Sequence, residues 1–214
     1  MYSPAEFKEA DLEKLHKFIQ EYNFAVVISM NDGRCAVSHL PLLLDKTRGQ
    51  FGTLIGHMAR ANSQWKELES AEVTCVFNGP HGYISPSWYD NPLNVPTWNY
   101  AVVQTRGRAT LIDDDSAIEQ ILVQLVEHQE SQFEHPWRYE LPEDFKVRLR
   151  KSIVGFAIEM TSIEGKFKLS QNRSAEDWKS ALLGAENHYG KSNPELVLLM
   201  RAAYASANSI EPSL

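Results

Sequence analysis

Phe7, Leu15, Phe18, Ile19 and Tyr22 fall on one face at helical spacing, so residues 6–22 predict an amphipathic helix. The pattern then turns to β. "FAVVISM" (24–30), the turn "NDG" and "CAVSHLPLLL" (35–44) predict a hairpin, because Asn-Asp-Gly supplies the positive φ angles of a tight turn. Pro41 makes the second strand an edge or broken strand, since proline has no N–H for a ladder. "GQFGTLIGH" (49–57), "EVTCVF" (72–77), "YAVVQTRGRATLI" (100–112) and "SIVGFAIEMTSIEGKFKL" (152–169) continue the series, giving six or seven strands.

Helical spacing returns in "DDDSAIEQILVQLVEHQE", where Ile118, Ile121, Leu122, Leu125 and Val126 follow a Ser116 to Glu119 capping box. Ser174 and Asp177 form a second box opening "AEDWKSALL", and "NPELVLLMRAAYASA" begins with a capping Asn193 and Pro194 in the first turn. "ESQFEHPWRYELPED" (130–144) reads as an irregular excursion. No repeat or low-complexity run divides the chain. The pattern predicts one α+β domain over 1–214, a closed or nearly closed antiparallel barrel with inserted helices and a helical C-terminal extension over about 174–207.

Composition narrows the setting. A chain of 214 residues buries an ordinary core without covalent staples, and its two cysteines, Cys35 and Cys75, exclude a disulfide framework and suit a reducing compartment. The start, "MYSPAEFKEADLEK", has charges where a signal peptide needs an apolar stretch, and no run approaches a bilayer span, so a cytoplasmic protein is expected. The formal charge of -7 opposes a broad nucleic-acid surface and leaves a local basic pocket open.

Two strand-to-helix corners carry candidate chemistry. In "GHMARANSQW" (56–65) a strand precedes a short helix near Asn62, with Arg60 just upstream, an arrangement suited to a phosphate. "FKLSQNRSAEDW" (167–178) repeats it with Lys168, Gln171, Asn172 and Arg173 ahead of the Ser174 cap. Between them, Trp88, Tyr89, Trp98 and Tyr100 crowd one loop and one strand mouth, backed by Thr97 and Asn99. That cluster is a core corner, a stacking surface for a planar ligand or a partner patch, and half of it should serve the core alone. With two anion corners, a phosphorylated flat cofactor is the economical reading. The seven histidines show no zinc spacing, and no GxSxG, P-loop or GxGxxG is present. His39 and His57 stand at strand positions near Pro41 and Arg60 and suit the lining of a site or a core.

The phrases "MYSPAEF", "SHLPLLLD", "GHMARANSQW", "GYISPSWY", "VPTWNY" and "FKLSQNR" occur in the order and rough spacing of the PaiB-type family of FMN-binding negative transcriptional regulators, which the chain resembles over nearly its whole length. The resemblance implies an FMN-binding split β-barrel, a homodimer with FMN at the interface. It would carry the "SHLP" strand, Ser38, His39, Leu40 and Pro41, to the side of the flavin. Arg60 and the Asn62 helix start would meet the phosphate, with His57 and Ala61 among the cofactor-binding residues, and Thr97, Trp98, Asn99 and Tyr100 would face the ring, with Lys168, Gln171 and Arg173 reaching in from the second subunit.

Three functions follow from that resemblance. One is a flavin-dependent redox enzyme acting on a small molecule, for which His39, His81, Tyr89 and Arg106 are candidates to orient a substrate; no catalytic residue is assigned. The second is an FMN-binding regulator or sensor without turnover. The third is a haem-binding split barrel, for which His and Tyr side chains offer axial ligands without distinctive spacing. Direct DNA reading is not expected, because the acidic chain separates its last two helices by "GAENHYGKS" where a helix-turn-helix uses about three or four residues.

Overall fold

A computed structural model describes residues 1–31, 33–89, 91 and 93–207. In chain order these form β1 (Lys8–Glu9), α1 (Leu12–Glu21), β2 (Phe24–Asn31), β3 (Arg34–Pro41), β4 (Leu43–Asp45), β5 (Thr53–Ala59), β6 (Glu72–Ile84), β7 (Thr97–Ile112), α2 (Asp115–Glu130), α3 (Glu143–Lys151), β8 (Ile153–Lys168), α4 (Ala175–Tyr189) and α5 (Pro194–Ala207). Short 3-10 turns occupy Ala5–Phe7, Ser63–Glu67 and Pro86–Trp88. The eight strands make one antiparallel sheet in the order β3-β2-β6-β7-β8-β5-β4, with β1 paired to β8, so the fold is α+β as expected. No helix among the described residues is long and apolar enough to cross a membrane.

The hairpin forms where the sequence places it. Gly33 takes φ +74° in the turn, while the turn's Asp32 lies outside the described residues. β3 is an edge strand that stops at Pro41, and β4 begins separately at Leu43. The first helix is shorter than its apolar pattern suggests. The Glu9 carboxylate accepts the Ala10 and Asp11 N–H groups at 2.9 Å, and Lys8–Glu9 pair with β8, so the chain turns helical only at Leu12. The α2 cap is Asp114, whose carboxylate accepts Ala117 N–H at 2.8 Å, and not Ser116; Glu119 is drawn away to Lys146 and Arg150. Ser174 caps α4 as predicted, through Asp177 N–H.

Two elements escape the sequence reading. α3, "EDFKVRLRK", has no sustained apolar stripe; buried Arg150 fastens it by bridging Glu119 and Glu143. α4 runs on to Tyr189, so only Gly190–Asn193 separate it from α5, far fewer residues than "GAENHYGKS" suggests.

By their contacts the residues group into two compact units: one holds 12–77 and 104–163, the other 1–11, 78–103 and the chain from Glu164 onward. In the first unit, alternate strand residues such as Leu54, Met58, Cys75, Phe77, Phe156 and Ile158 are fully buried, each apolar side chain contributing about 1.5–3 kcal/mol by leaving water. In the second, Ile84, Tyr89 and Leu169 form a core with Ala181, Leu182 and Ala185 of α4 and Leu196, Val197 and Met200 of α5.

Candidate functional site

β5 ends at Ala59, and the next residue is clamped. Arg60 N–H donates to Ser152 at 2.8 Å, while its Nε and Nη2 donate to the carbonyls of Lys151 and Ile153 at 3.0 and 2.9 Å. These bonds fix the exposed guanidinium, and among the described residues its Nη1 amino group makes no further bond. Trp65 Nε1 donates to the Arg60 carbonyl at 3.0 Å, setting the indole beside the guanidinium. After exposed Ala61, Asn62 caps the 3-10 turn through Gln64 N–H, and its Nδ2 donates to Ser38 Oγ at 2.8 Å. Ser38 donates in turn to Gln64 Oε1. Buried Gln64 completes the network by donating from Nε2 to Val27 O, Ser29 Oγ and Ala36 O at 3.1–3.2 Å. Sequence reasoning missed Gln64, because a polar residue one turn past a cap carries no burial signal.

The structure therefore brings Ser38 and Asn62 together but divides the "SHLP" phrase. Ser38 and Leu40 pair with Val27 and Ala25, which are fully buried, whereas His39 and Pro41 pair with Val26 and Phe24 on the opposite face. Strand alternation imposes this split. His39 is exposed, its ring 6.3 Å from Phe24. His57 is half-buried with Nδ1 unpartnered, and burial pushes its pKa below the ordinary histidine value.

The second corner gathers cations. Lys168 Nζ donates to Thr97 Oγ1 and to the Trp98 carbonyl at 2.6 Å, and burial, then the charges of Arg173 and Lys166, holds its pKa below the usual lysine range. Lys166 donates to Tyr2 O at 3.2 Å and lies 5.5 Å from the rings of both Tyr2 and Tyr100. Arg173 donates from Nη1 to Asn94 Oδ1 at 2.7 Å and lies 5.1 Å from the Tyr89 ring. Gln171 folds back on its own loop: Oε1 accepts Leu169 N–H and Nε2 donates to Phe167 O, both at 2.6 Å. It shapes the corner and has little left to offer a ligand. Asn99 is fully buried and bonds Ser170, which holds φ +76°, a left-handed conformation that costs a serine of order 1 kcal/mol. Nothing in the sequence singles out Ser170.

The aromatic cluster splits in half. Trp88 and Tyr89 turn to the helices: Tyr89 is 7% exposed, and a Cβ on Gly184 would stand 2.4 Å from the Trp88 ring, so a glycine is needed there. Trp98, 53% exposed, and Tyr100 project the other way, as β7 alternation requires, and with Asn78 and His81 line a groove of about 530 Å³. Tyr83 meets Trp98 edge-on at 6.1 Å. The groove offers flat walls, and the two corners offer fixed cations. No cluster of three or more His, Cys, Asp or Glu among the described residues could hold a metal.

Residues 1–162 match the family described as "putative FMN-binding domain". The chain is 36% identical over 203 residues to "Protease synthase and sporulation protein PAI 2" of Bacillus subtilis (strain 168), covering 94% of this chain and 96% of that protein. Its fold resembles the flavocytochrome Anf3 from Azotobacter vinelandii, with TM-score 0.56, 16% identity and coverage of 75% of this chain and 69% of the other. It also resembles the FAD and haem binding protein from Mycobacterium smegmatis, with TM-score 0.56, 13% identity and coverage of 75% and 73%.

Proposed function

The chain belongs to the FMN-binding domain family, and we propose that it works as a homodimeric FMN-dependent oxidoreductase toward a small molecule. The observation that carries this reading is the groove of Trp98 and Tyr100 opening beside pinned cations, because FMN presents a flat ring and an anionic phosphate. The residues fit that cofactor. Arg60 would hold the phosphate with the amino group its clamp leaves over, and the Ser38–Asn62–Gln64 network would keep the neighbouring chain in place. Trp98, Tyr100 and, pinned beside them, Lys168 would border the ring, brought to it by the partner protomer, while Gln171 keeps their loop in shape.

FMN, when bound, supplies electron transfer between a donor and an acceptor. The chain contributes position and charge. Lys168, held by Thr97 and the Trp98 carbonyl, would favour negative charge beside the ring. His81, exposed in the groove, would carry a proton at an imidazole nitrogen, its Nδ1 being 3.3 Å from Gly79 O. The regulator reading gains a short α4–α5 turn that a helix-turn-helix could use. It lacks a basic reading helix: α4 and α5 set Glu176, Asp177, Glu186 and Glu195 against Lys179 and Arg201.

Two measurements test the proposal. Anaerobic addition of a reduced nicotinamide should bleach the visible flavin band, with oxygen or an acceptor restoring it over many cycles. Arg60→Ala should weaken FMN binding by ~1.5–3 kcal/mol and leave riboflavin nearly unchanged, the expected loss of a charge-assisted bond to phosphate. A flavin inert to every donor sinks the enzyme reading, and equal losses for both ligands remove Arg60 from the phosphate.

A further inference from the structure

β6 changes phase in mid-strand. Val73, Cys75 and Phe77 are buried, then Pro80, Gly82 and Ile84, so the alternation slips by one residue across Asn78–Gly79. A slip of this kind is what a β-bulge produces, and Pro80, with no N–H for a ladder, sits beside it. Its consequence is that Asn78 and His81, three residues apart and both exposed, line the same groove as Trp98 and Tyr100.

The strand itself sets the tautomer of the imidazole. His81 Nδ1 lies 3.3 Å from Gly79 O, and a carbonyl only accepts, so the neutral ring carries its proton on Nδ1. Nε2, at the far edge of the ring, keeps a lone pair and meets no donor among the described residues. The Asn78 amide, Trp98 Nε1 and the Tyr100 hydroxyl likewise make no hydrogen bond among the described residues. The neighbouring corner is the opposite case, for Lys168, Asn99 and Gln171 are all spent on protein partners. A concave wall of flat rings with a few unspent polar groups is the make-up of a small-molecule site.

We infer that this groove selects a planar aromatic molecule bearing a hydroxyl, its rings along Trp98 and Tyr100 and its O–H donating to His81 Nε2. The inference rests on the reading above, in which the groove's aromatic wall borders the flavin ring and the small-molecule partner enters beside it. A hydroxyl gains a bond at Nε2 that an ether of the same shape does not, because both the ether oxygen and the nitrogen can only accept. The Gly79 carbonyl, by holding the proton on Nδ1, thereby sets the specificity of the groove.

Calorimetric titration of the flavin-loaded protein with 2-naphthol and with 2-methoxynaphthalene compares one ring system with and without the O–H. 2-Naphthol should bind about fivefold more tightly, the effect of one neutral hydrogen bond. His81→Phe keeps a flat wall and should bring 2-naphthol down to the affinity of the ether, with the ether unchanged. His81→Gln, whose amide oxygen also accepts, should restore most of the difference, whereas Trp98→Leu should weaken both probes alike. Nitrogen NMR of the labelled protein should find neutral His81 protonated on Nδ1. Equal affinity for the two probes overturns the inference, as does a preference that survives His81→Phe or a proton found on Nε2. Exclusion of 2-naphthol once FMN is bound would mean that the flavin fills the groove, which also overturns it. Failure to take up FMN refutes the flavin reading alone, and the same comparison then decides on the protein as purified, because every group it uses lies in one chain's groove.

Discussion

Replacing Gln64 by Met removes an amide that joins β2, β3 and the Arg60–Asn62 corner while keeping an unbranched side chain of similar length. Gln64 Nε2 shares its two hydrogens among Val27 O, Ser29 Oγ and Ala36 O, and Oε1 accepts from Ser38. That is two donated bonds and one accepted bond at a side chain only 3% exposed. At about 1 kcal/mol net for each, and with buried acceptors left dry, the loss should be about 3 kcal/mol after methionine recovers some apolar burial. For a chain of this size that corresponds to a fall of roughly 6–12 °C in melting temperature. Urea unfolding of the FMN-free protein gives the number directly. Ser38→Ala should cost less, about 1 kcal/mol, and the double substitution should fall short of the sum, because the two residues share a bond. A loss below about 1 kcal/mol for Gln64→Met, or strict additivity with Ser38→Ala, would refute the claim that this network holds the corner.

Two further outcomes follow from buried titrating groups. Burial pushes the Cys75 thiol up to about 12, whereas Cys35 is exposed on β3, so Ellman's reagent at pH 8 should release one equivalent from native protein and two in denaturant. Two equivalents from native protein would contradict the burial of Cys75. Burial lowers the His57 pKa in the folded state, so as pH falls below about 6.5 the unfolded chain takes the proton first and stability declines until the folded pKa is passed. His57→Leu should flatten that limb of a urea-midpoint profile against pH; an unchanged slope assigns it to another group.

The strands, the NDG hairpin, the break at Pro41 and the α4 cap were legible in the sequence because each is decided by local chemistry: alternation, φ preference, a missing N–H, a hydroxyl at a helix start. Both cationic corners were legible for the same reason, as guanidinium and ammonium groups at strand ends. Tertiary structure decided how each side chain is spent. Strand alternation sends Ser38 inward and His39 outward, and that follows from pairing with β2, not from the SHLP phrase. Arg60 spends part of its guanidinium on two distant carbonyls and its backbone N–H on a third, Gln171 closes its own loop, and Trp88 and Tyr89 leave the aromatic cluster for the helical core. α3 is fastened because its Arg150, paired with Glu143 on its own first turn, also finds Glu119 on α2. A sequence states which polar groups are present, but satisfaction of a buried donor or acceptor depends on atoms far along the chain, and only the folded arrangement supplies them.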